Sequence, residues 1–105
     1  MTKVSAITTL VAKPGRFAEL QRAADEMVAA ASSEPGTEIY AVSRATNAED
    51  TLFVYELFSD RAAFRAHAAA GETVSQLLAP LVDRVDIVLG EPLAEKPADR
   101  GSQRA

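Results

Sequence analysis

The sequence contains no cysteine, no tryptophan and only one histidine among its 105 residues. Without cysteine the chain has no disulfide, no thiolate nucleophile and no cysteine-based zinc or iron–sulfur site. The single histidine does not stand at metal-ligand spacing with other donor residues, so the common metal-binding patterns fail. The chain also lacks glycine-rich phosphate loops and the Gly-x-Ser-x-Gly motif. Nucleotide binding and serine hydrolysis are therefore not indicated.

Positive charge and long apolar runs are scarce as well. Eleven Lys and Arg residues are scattered among fifteen Asp and Glu, which gives a formal net charge of −4. This balance argues against a nucleic-acid partner, because phosphate binding needs clustered basic side chains. No apolar run approaches the roughly 18 residues of a membrane-spanning helix, and Met1–Ser5 leads into a β-like segment rather than a signal-peptide core. We therefore expect a cytoplasmic protein with no membrane partner.

The first third of the chain predicts a strand followed by a helix. Val4–Ala12 is rich in Val, Ile and Thr and contains neither Gly nor Pro, which indicates a strand. Lys13-Pro14-Gly15 ends that strand. From Arg16 onward apolar residues recur at helical spacing, and Glu34-Pro35-Gly36 marks the end of the helix.

The rest of the chain predicts a hairpin, two helices and a last strand. Alternating apolar residues indicate strands at 37–45 and 51–58, and Ser59 or, more favourably, Asp60 is placed to cap the next helix. The later elements are predicted as helices at 61–70 and 72–81 and a strand at 83–89.

The predicted order is β-α-β-β-α-α-β, the split βαβ pattern of a ferredoxin-like α+β fold with a four-stranded antiparallel sheet. Residues 1–93 form one domain in this interpretation, and 94–105, which lack periodicity, form a flexible tail. Helices on one side of such a sheet leave its other side uncovered. Because the strands carry apolar residues on both sides, we expect a homodimer formed through the sheet.

Two polar residues stand at positions predicted to face inward. His67 shares the apolar side of its helix with Phe64, and its pKa near neutrality suits a general base or a ligand donor. The alternative is a partly buried histidine with a structural hydrogen bond. Glu56 lies on the same side of its strand as Val54 and Phe58, so it needs a partner. It is either an acid/base, an orienter of His67, or half of an ion pair with Arg44 or with an arginine of a second subunit.

Three further side chains, Tyr40, Tyr55 and Arg44, are candidates for holding an aromatic, oxygen-bearing ligand. Tyrosine rings stack and their hydroxyls donate hydrogen bonds, while a guanidinium binds oxygen anions. Packing alone is the alternative explanation for tyrosines on strands.

Together, three stretches resemble the antibiotic-biosynthesis monooxygenase family of the dimeric α+β-barrel superfamily. They are Lys13–Phe17 after the first strand, Glu34–Thr37 leading into Tyr40, and Tyr55–Asp60 followed by His67. The resemblance covers about residues 4–93. The Glu-Pro-Gly-Thr turn and the spacing from Glu56 to His67 are its most specific parts.

The resemblance implies a homodimer with a pocket between sheet and helices in each subunit. Some members oxidise quinols or other hydroxylated aromatics with molecular oxygen as co-substrate and without metal, flavin or other cofactor. In that scheme His67 is the base and Glu56 its orienter or a second acid. The residues expected to line the substrate pocket are Tyr40, Arg44, Tyr55, Phe58 and Phe64.

The chain departs from the family pattern at Phe58, where many relatives carry tryptophan. Haem-degrading relatives use an early asparagine and a tryptophan, whereas this chain has no tryptophan and no asparagine before Asn47. These departures disfavour the haem-degrading branch, for which His67 is the remaining support. The alternatives to the monooxygenase are a non-catalytic dimeric module that binds a small ligand or has a stress-related role, and an isomerase or haem-degrading relative. The sequence does not name the substrate.

Overall fold

The computed structural model describes residues 2–96, and it confirms the ferredoxin-like α+β fold. The elements in chain order are β1 (Val4–Ala12), α1 (Phe17–Arg22), α2 (Ala24–Ser32), β2 (Thr37–Arg44), β3 (Thr51–Phe58), α3 (Arg61–Ala70), α4 (Glu72–Leu78), a 3-10 turn (Ala79–Leu81) and β4 (Val82–Gly90). The strands form one antiparallel sheet in the order β2-β3-β1-β4. The two outer strands are therefore β2 and β4.

The predicted helices are present but are divided more finely than expected. The single helix predicted from Arg16 is interrupted at Ala23, whose N–H lies 3.1 Å from the carbonyl oxygens of both Glu19 and Leu20. This shared bond tightens the backbone between α1 and α2. The helix predicted for 72–81 ends at Leu78 and continues as a 3-10 turn that contains Pro80, which has no N–H for an α-helical bond.

The two sides of the sheet differ in what covers them. The helix-covered side, here called the covered face, carries the buried core residues Ala6, Leu10, Leu52, Val54 and Phe58. The opposite side, the open face, carries partly exposed apolar residues on all four strands. They are Ile7, Ile39, Phe53, Tyr55 and Val88.

The start of α3 sets which of its residues reach the covered face. Asp60 has extended backbone geometry, and its Oδ1 accepts a 2.8 Å hydrogen bond from the N–H of Ala63. This N-cap, predicted from the sequence, begins α3 at Arg61. Phe64 and His67 then lie on the same helical face, three residues apart, and point toward the sheet.

The C-terminal boundary of the domain stays a prediction, because residues 97–105 of the predicted tail lie outside the described residues. Within the described part, Glu95 accepts a 3.0 Å hydrogen bond from Lys3 at the start of the chain. No helix between residues 2 and 96 is both long and apolar enough to cross a membrane.

Candidate active site

A cavity of about 910 Å³ lies between the covered face and the helices. Most of its wall is apolar and comes from β1, β3, β4, α2, α3 and α4. Its polar side chains are Thr8, Ser33, Glu34, Tyr40, Glu56, His67 and Ser75. Pockets that bind small molecules usually combine such an apolar wall with a few convergent polar groups, and they measure roughly 300–1,000 Å³.

A second, more open depression of about 1010 Å³ lies beside the start of β1 and the start of α3. Its charged residues include Lys3, Asp60, Arg61 and Arg65. Lys3 already pairs with Glu38 at 2.9 Å, and Asp60 caps α3. We take the first cavity as the candidate site because, of the two, it contains ionisable groups that bond one another: Glu34, Glu56 and His67.

His67 is the centre of the polar cluster in the cavity. Its Nδ1 lies 2.6 Å from Oε1 of Glu34, and its Nε2 lies 3.1 Å from Oε1 of Glu56. The two carboxylates reach it from different elements: Glu34 from the turn after α2, Glu56 from β3. Both ring nitrogens therefore face a carboxylate oxygen.

Glu56 is the most buried ionisable group of the cluster, with 6% of its surface exposed. Sheet register places it between Ala6 of β1 and Tyr40 of β2, on the covered face. Its Oε2 accepts a 3.0 Å hydrogen bond from the Thr8 hydroxyl, and its Oε1 faces His67. Both carboxylate oxygens thus have a partner, as a buried charge requires. Of the alternatives for Glu56, the structure shows the contact with His67 and not one with Arg44.

The two carboxylates favour the doubly protonated form of His67, because only that form donates to both. The hydrogen bond with Glu56 raises the pKa of His67 above its ordinary value of 6.5, and Glu34 adds to the effect, whereas burial opposes it. Burial, followed by the charges of Glu56 and Glu34, raises the pKa of Tyr40 to about 12. Tyr40 is therefore a neutral phenol at physiological pH and is available as a hydrogen-bond donor.

Aromatic rings pack against the imidazole of His67, in addition to the carboxylates that contact its nitrogens. Its ring centroid lies 5.0 Å from that of Phe58 and 5.6 Å from that of Tyr40. Phe58 also contacts Phe64 edge-on at 5.5 Å. Phe58 is completely buried and packs against the imidazole. It does not line the cavity, contrary to the prediction.

The structure brings together His67, Glu56, Tyr40 and Phe64 of the predicted site residues. Arg44 and Tyr55 do not line the cavity. Tyr55 is next to Glu56 on β3, so strand alternation turns it to the open face. Arg44 is the last residue of β2 and is exposed.

The sequence analysis missed Glu34 and Thr8 as members of the site. Glu34 was interpreted only as part of the helix stop, although its turn was among the most specific family features. Thr8 is on the side of β1 that faces the core, alternating with Ile7 and Thr9, and a hydroxyl there needs a partner. Alternation gave a signal for Thr8, whereas nothing local indicated that Glu34 faces His67.

Among the described residues, no group of three or more His, Cys, Asp or Glu side chains is arranged to hold a metal ion. At His67 the two carboxylates contact different nitrogens of the ring, Nδ1 and Nε2.

Comparison with known proteins gives the family and the fold. PA3566 from Pseudomonas aeruginosa has a solved structure that superposes with a TM-score of 0.81 at 25% identity, covering 90% of this chain and 97% of that one. NE2512, a protein of unknown function from Nitrosomonas europaea, gives 0.81 at 28% identity, covering 91% and 94%. Rv0793 from Mycobacterium tuberculosis gives 0.81 at 21% identity, covering 89% and 97%, and shows the fold alone.

None of these three names states an activity, and no curated protein matches the chain. The sequence model of the antibiotic biosynthesis monooxygenase family matches residues 3–74, more than half of the chain. That range contains the whole Glu34, Glu56 and His67 cluster. The chain therefore belongs to the antibiotic biosynthesis monooxygenase family.

Proposed function

We propose that this protein is a cofactor-independent monooxygenase that oxidises a hydroxylated aromatic or quinol-type molecule with molecular oxygen. The observation that carries the proposal is the Glu34–His67–Glu56 cluster in the wall of an apolar cavity of about 910 Å³. Family membership makes oxygen chemistry the first expectation, and the cluster supplies the proton transfer that such chemistry needs. No metal, flavin or other cofactor takes part in the proposed reaction.

The proposed reaction begins with loss of a proton from the substrate to the Glu56–His67 pair. The resulting anion is electron-rich enough to reduce oxygen: one electron passes to O2, and the two radicals combine into a peroxide at a ring carbon. When that carbon was a CH2 group, the peroxide loses water and leaves a carbonyl. One oxygen atom then remains in the product, and the other departs as water with the two hydrogens.

Each part of the cavity has a task in this scheme. The Tyr40 hydroxyl, neutral because its pKa is raised to about 12, donates to the oxygen on which negative charge develops. Phe64 and the aliphatic wall contact the aromatic rings and exclude water from the anion. The base form of His67 appears as pH rises through its raised pKa, so we expect the rate to increase with pH over the range in which His67 titrates.

The experiment is oxygen uptake by the purified protein with a panel of quinols, anthrones and naphthols, compared with His67→Ala. We expect uptake above the autoxidation background and a loss of about 10²–10⁴-fold in the variant, the usual contribution of general-base catalysis. Tyr40→Phe and Tyr55→Phe form a matched pair, because the same hydroxyl is removed inside the cavity and on the open face. We expect at least about a tenfold loss for the first and none for the second.

Equal uptake by the protein and by His67→Ala would remove His67 from the mechanism.

The second candidate function is non-catalytic binding of a small hydrophobic ligand in the same cavity. It is favoured by the internal pairing of the cluster, whose carboxylates and imidazole already satisfy one another. Saturable binding of panel compounds without oxygen uptake would favour this binding function over the monooxygenase.

We further propose that two copies associate through the open face. The support is the row of partly exposed apolar residues that crosses all four strands, because a soluble protein seldom leaves such a patch uncovered. The cavity lies on the other side of the sheet.

A further inference from the structure

The Glu-Pro-Gly-Thr turn places Glu34 rigidly at the edge of the cavity. The N–H of Thr37 donates to the Glu34 carbonyl at 3.2 Å, which closes the turn. The Thr37 hydroxyl donates to Oε1 of Glu34 at 2.7 Å, so the carboxylate is held by its own turn. Pro35 restricts the backbone between them. The turn itself therefore orients the side chain of Glu34, independently of its contact with α3.

Gly36 allows α3 to approach this turn closely. A Cβ atom at position 36 would clash with the Cβ of Ala63, because it would lie far inside the contact distance of two non-bonded carbon atoms. The Gly36 carbonyl accepts a 2.9 Å bond from the N–H of Ser59, which joins the turn to the segment leading into α3. Ala63 precedes His67 by four residues, hence by about one helical turn. The close approach at Gly36 therefore brings His67 within reach of Glu34.

We propose that Glu34 is a positioning residue, which binds Nδ1–H of His67 and so directs Nε2 toward Glu56 and the substrate. The 2.6 Å contact at Nδ1 is shorter than the 3.1 Å contact at Nε2. When the imidazolium loses one proton, we expect the shorter contact to keep its proton, so that the neutral ring carries it on Nδ1. Nε2 is then the basic atom. The catalytic meaning of this arrangement rests on the proposed function, but the arrangement itself is measurable without turnover.

The ionisable groups that face His67 come from three elements. Glu34 comes from the turn after α2, Glu56 from β3 and Tyr40 from β2. Tyr40 remains neutral, so the two carboxylates are the charges that stabilise the imidazolium. Replacing either carboxylate by an amide lowers the pKa of His67, and only loss of Glu34 removes the partner of Nδ1.

The chain has a single histidine, so the test is direct. Protein labelled with ¹⁵N and ¹³C is titrated by NMR, and the two ring-nitrogen shifts report which nitrogen carries the proton. We expect Nδ1–H in the neutral ring of the unmodified protein. In Glu34→Gln the carbonyl oxygen still accepts from Nδ1–H, so the tautomer stays while the titration midpoint falls. In Glu34→Ala the midpoint falls and the proton moves to Nε2, where Glu56 accepts it.

Glu49→Gln, in the exposed turn between β2 and β3, serves as the control and should change neither quantity. Unchanged midpoint and tautomer in a natively folded Glu34→Ala would overturn the proposal. Should that variant not fold, an unchanged midpoint in Glu34→Gln would overturn it equally. A midpoint that moves while the tautomer stays on Nδ1 in Glu34→Ala would also contradict it.

Activity supplies a separate readout once a substrate is found. Glu34→Ala should lower kcat about tenfold to a hundredfold with little change in KM, because the base is misplaced while the pocket remains. Glu34→Gln should recover most of this rate and shift the rising limb of the pH profile to lower pH. If the NMR results appear as expected and no compound is oxidised, the positioning of His67 stands and the monooxygenase proposal fails.

Discussion

The two faces of the sheet are built from alternate residues of the same strands, yet they serve different ends. On β3 the covered face carries Val54, Glu56 and Phe58, all buried, and Glu56 belongs to the candidate site. The open face carries Phe53 and Tyr55, which are 38% and 37% exposed. Because strand alternation separates the faces, the proposed site on one face and the proposed dimer contact on the other can be changed independently.

The largest difference is expected when the same residue type is shortened on each face. Phe58→Ala removes a fully buried ring that packs against His67 and Phe64, and we expect a loss of about 3–5 kcal/mol in the free energy of unfolding. Phe53→Ala, measured in dilute protein, should lose roughly half of that or less, since its ring is already partly hydrated. Urea unfolding checks both. Equal losses would mean that the open face contributes to the core as much as the covered face does.

An intermediate effect is expected on association. Phe53→Asp puts a charge in the centre of the proposed dimer contact, and we expect the dimer to weaken by at least about 100-fold, or about 2.7 kcal/mol. Leu77→Asp, on α4 and 59% exposed, introduces the same charge away from the open face and is the control. Sedimentation velocity over a concentration series measures the dissociation constant of the dimer for each protein. A wild-type chain that remains monomeric at high concentration would refute the proposed contact.

The smallest expected effect concerns pH and arises only on the covered face. The pKa of His67 is raised in the folded protein, so the folded state holds this proton more tightly than the unfolded chain. The stabilisation is fully present below about pH 6.5, the ordinary histidine value, and is lost as pH rises through the raised pKa. We expect the melting temperature to fall over that range in the unmodified protein and to be flatter in His67→Gln. If the melting temperature falls equally with pH in both proteins, the pH dependence comes from a group other than His67.

Much of this molecule follows from local patterns in the chain. Composition and alternation predicted the four strands, helical spacing predicted the helices, and the Asp60 cap was predicted with its correct role. The same alternation contradicts placing Tyr55 beside Glu56 in one pocket, because neighbours on a strand point to opposite sides. Apolar spacing did not predict the interruption at Ala23 or the 3-10 turn at Pro80, because this spacing hardly changes where a helix is locally tightened.

The site itself was only half predictable. His67 and Glu56 stood out as polar residues on apolar faces, and the structure brings them to 3.1 Å. Glu34 did not stand out, because a glutamate at a helix end is ordinary on the surface, and its partner lies 33 residues further along the chain. Arg44 looked suitable by residue type, but it stands exposed at the end of β2 and does not line the cavity.

By itself the sequence determined the class of fold, the two faces of each strand and the family, because these depend on periodicity and short-range motifs that each segment carries within it. Only the tertiary structure decided that Glu34, Glu56 and His67 form one cluster and that Tyr40 faces it. Such contacts depend on how closely α3 packs on the turn at Gly36 and on strand register, and both are set by residues distant in the chain.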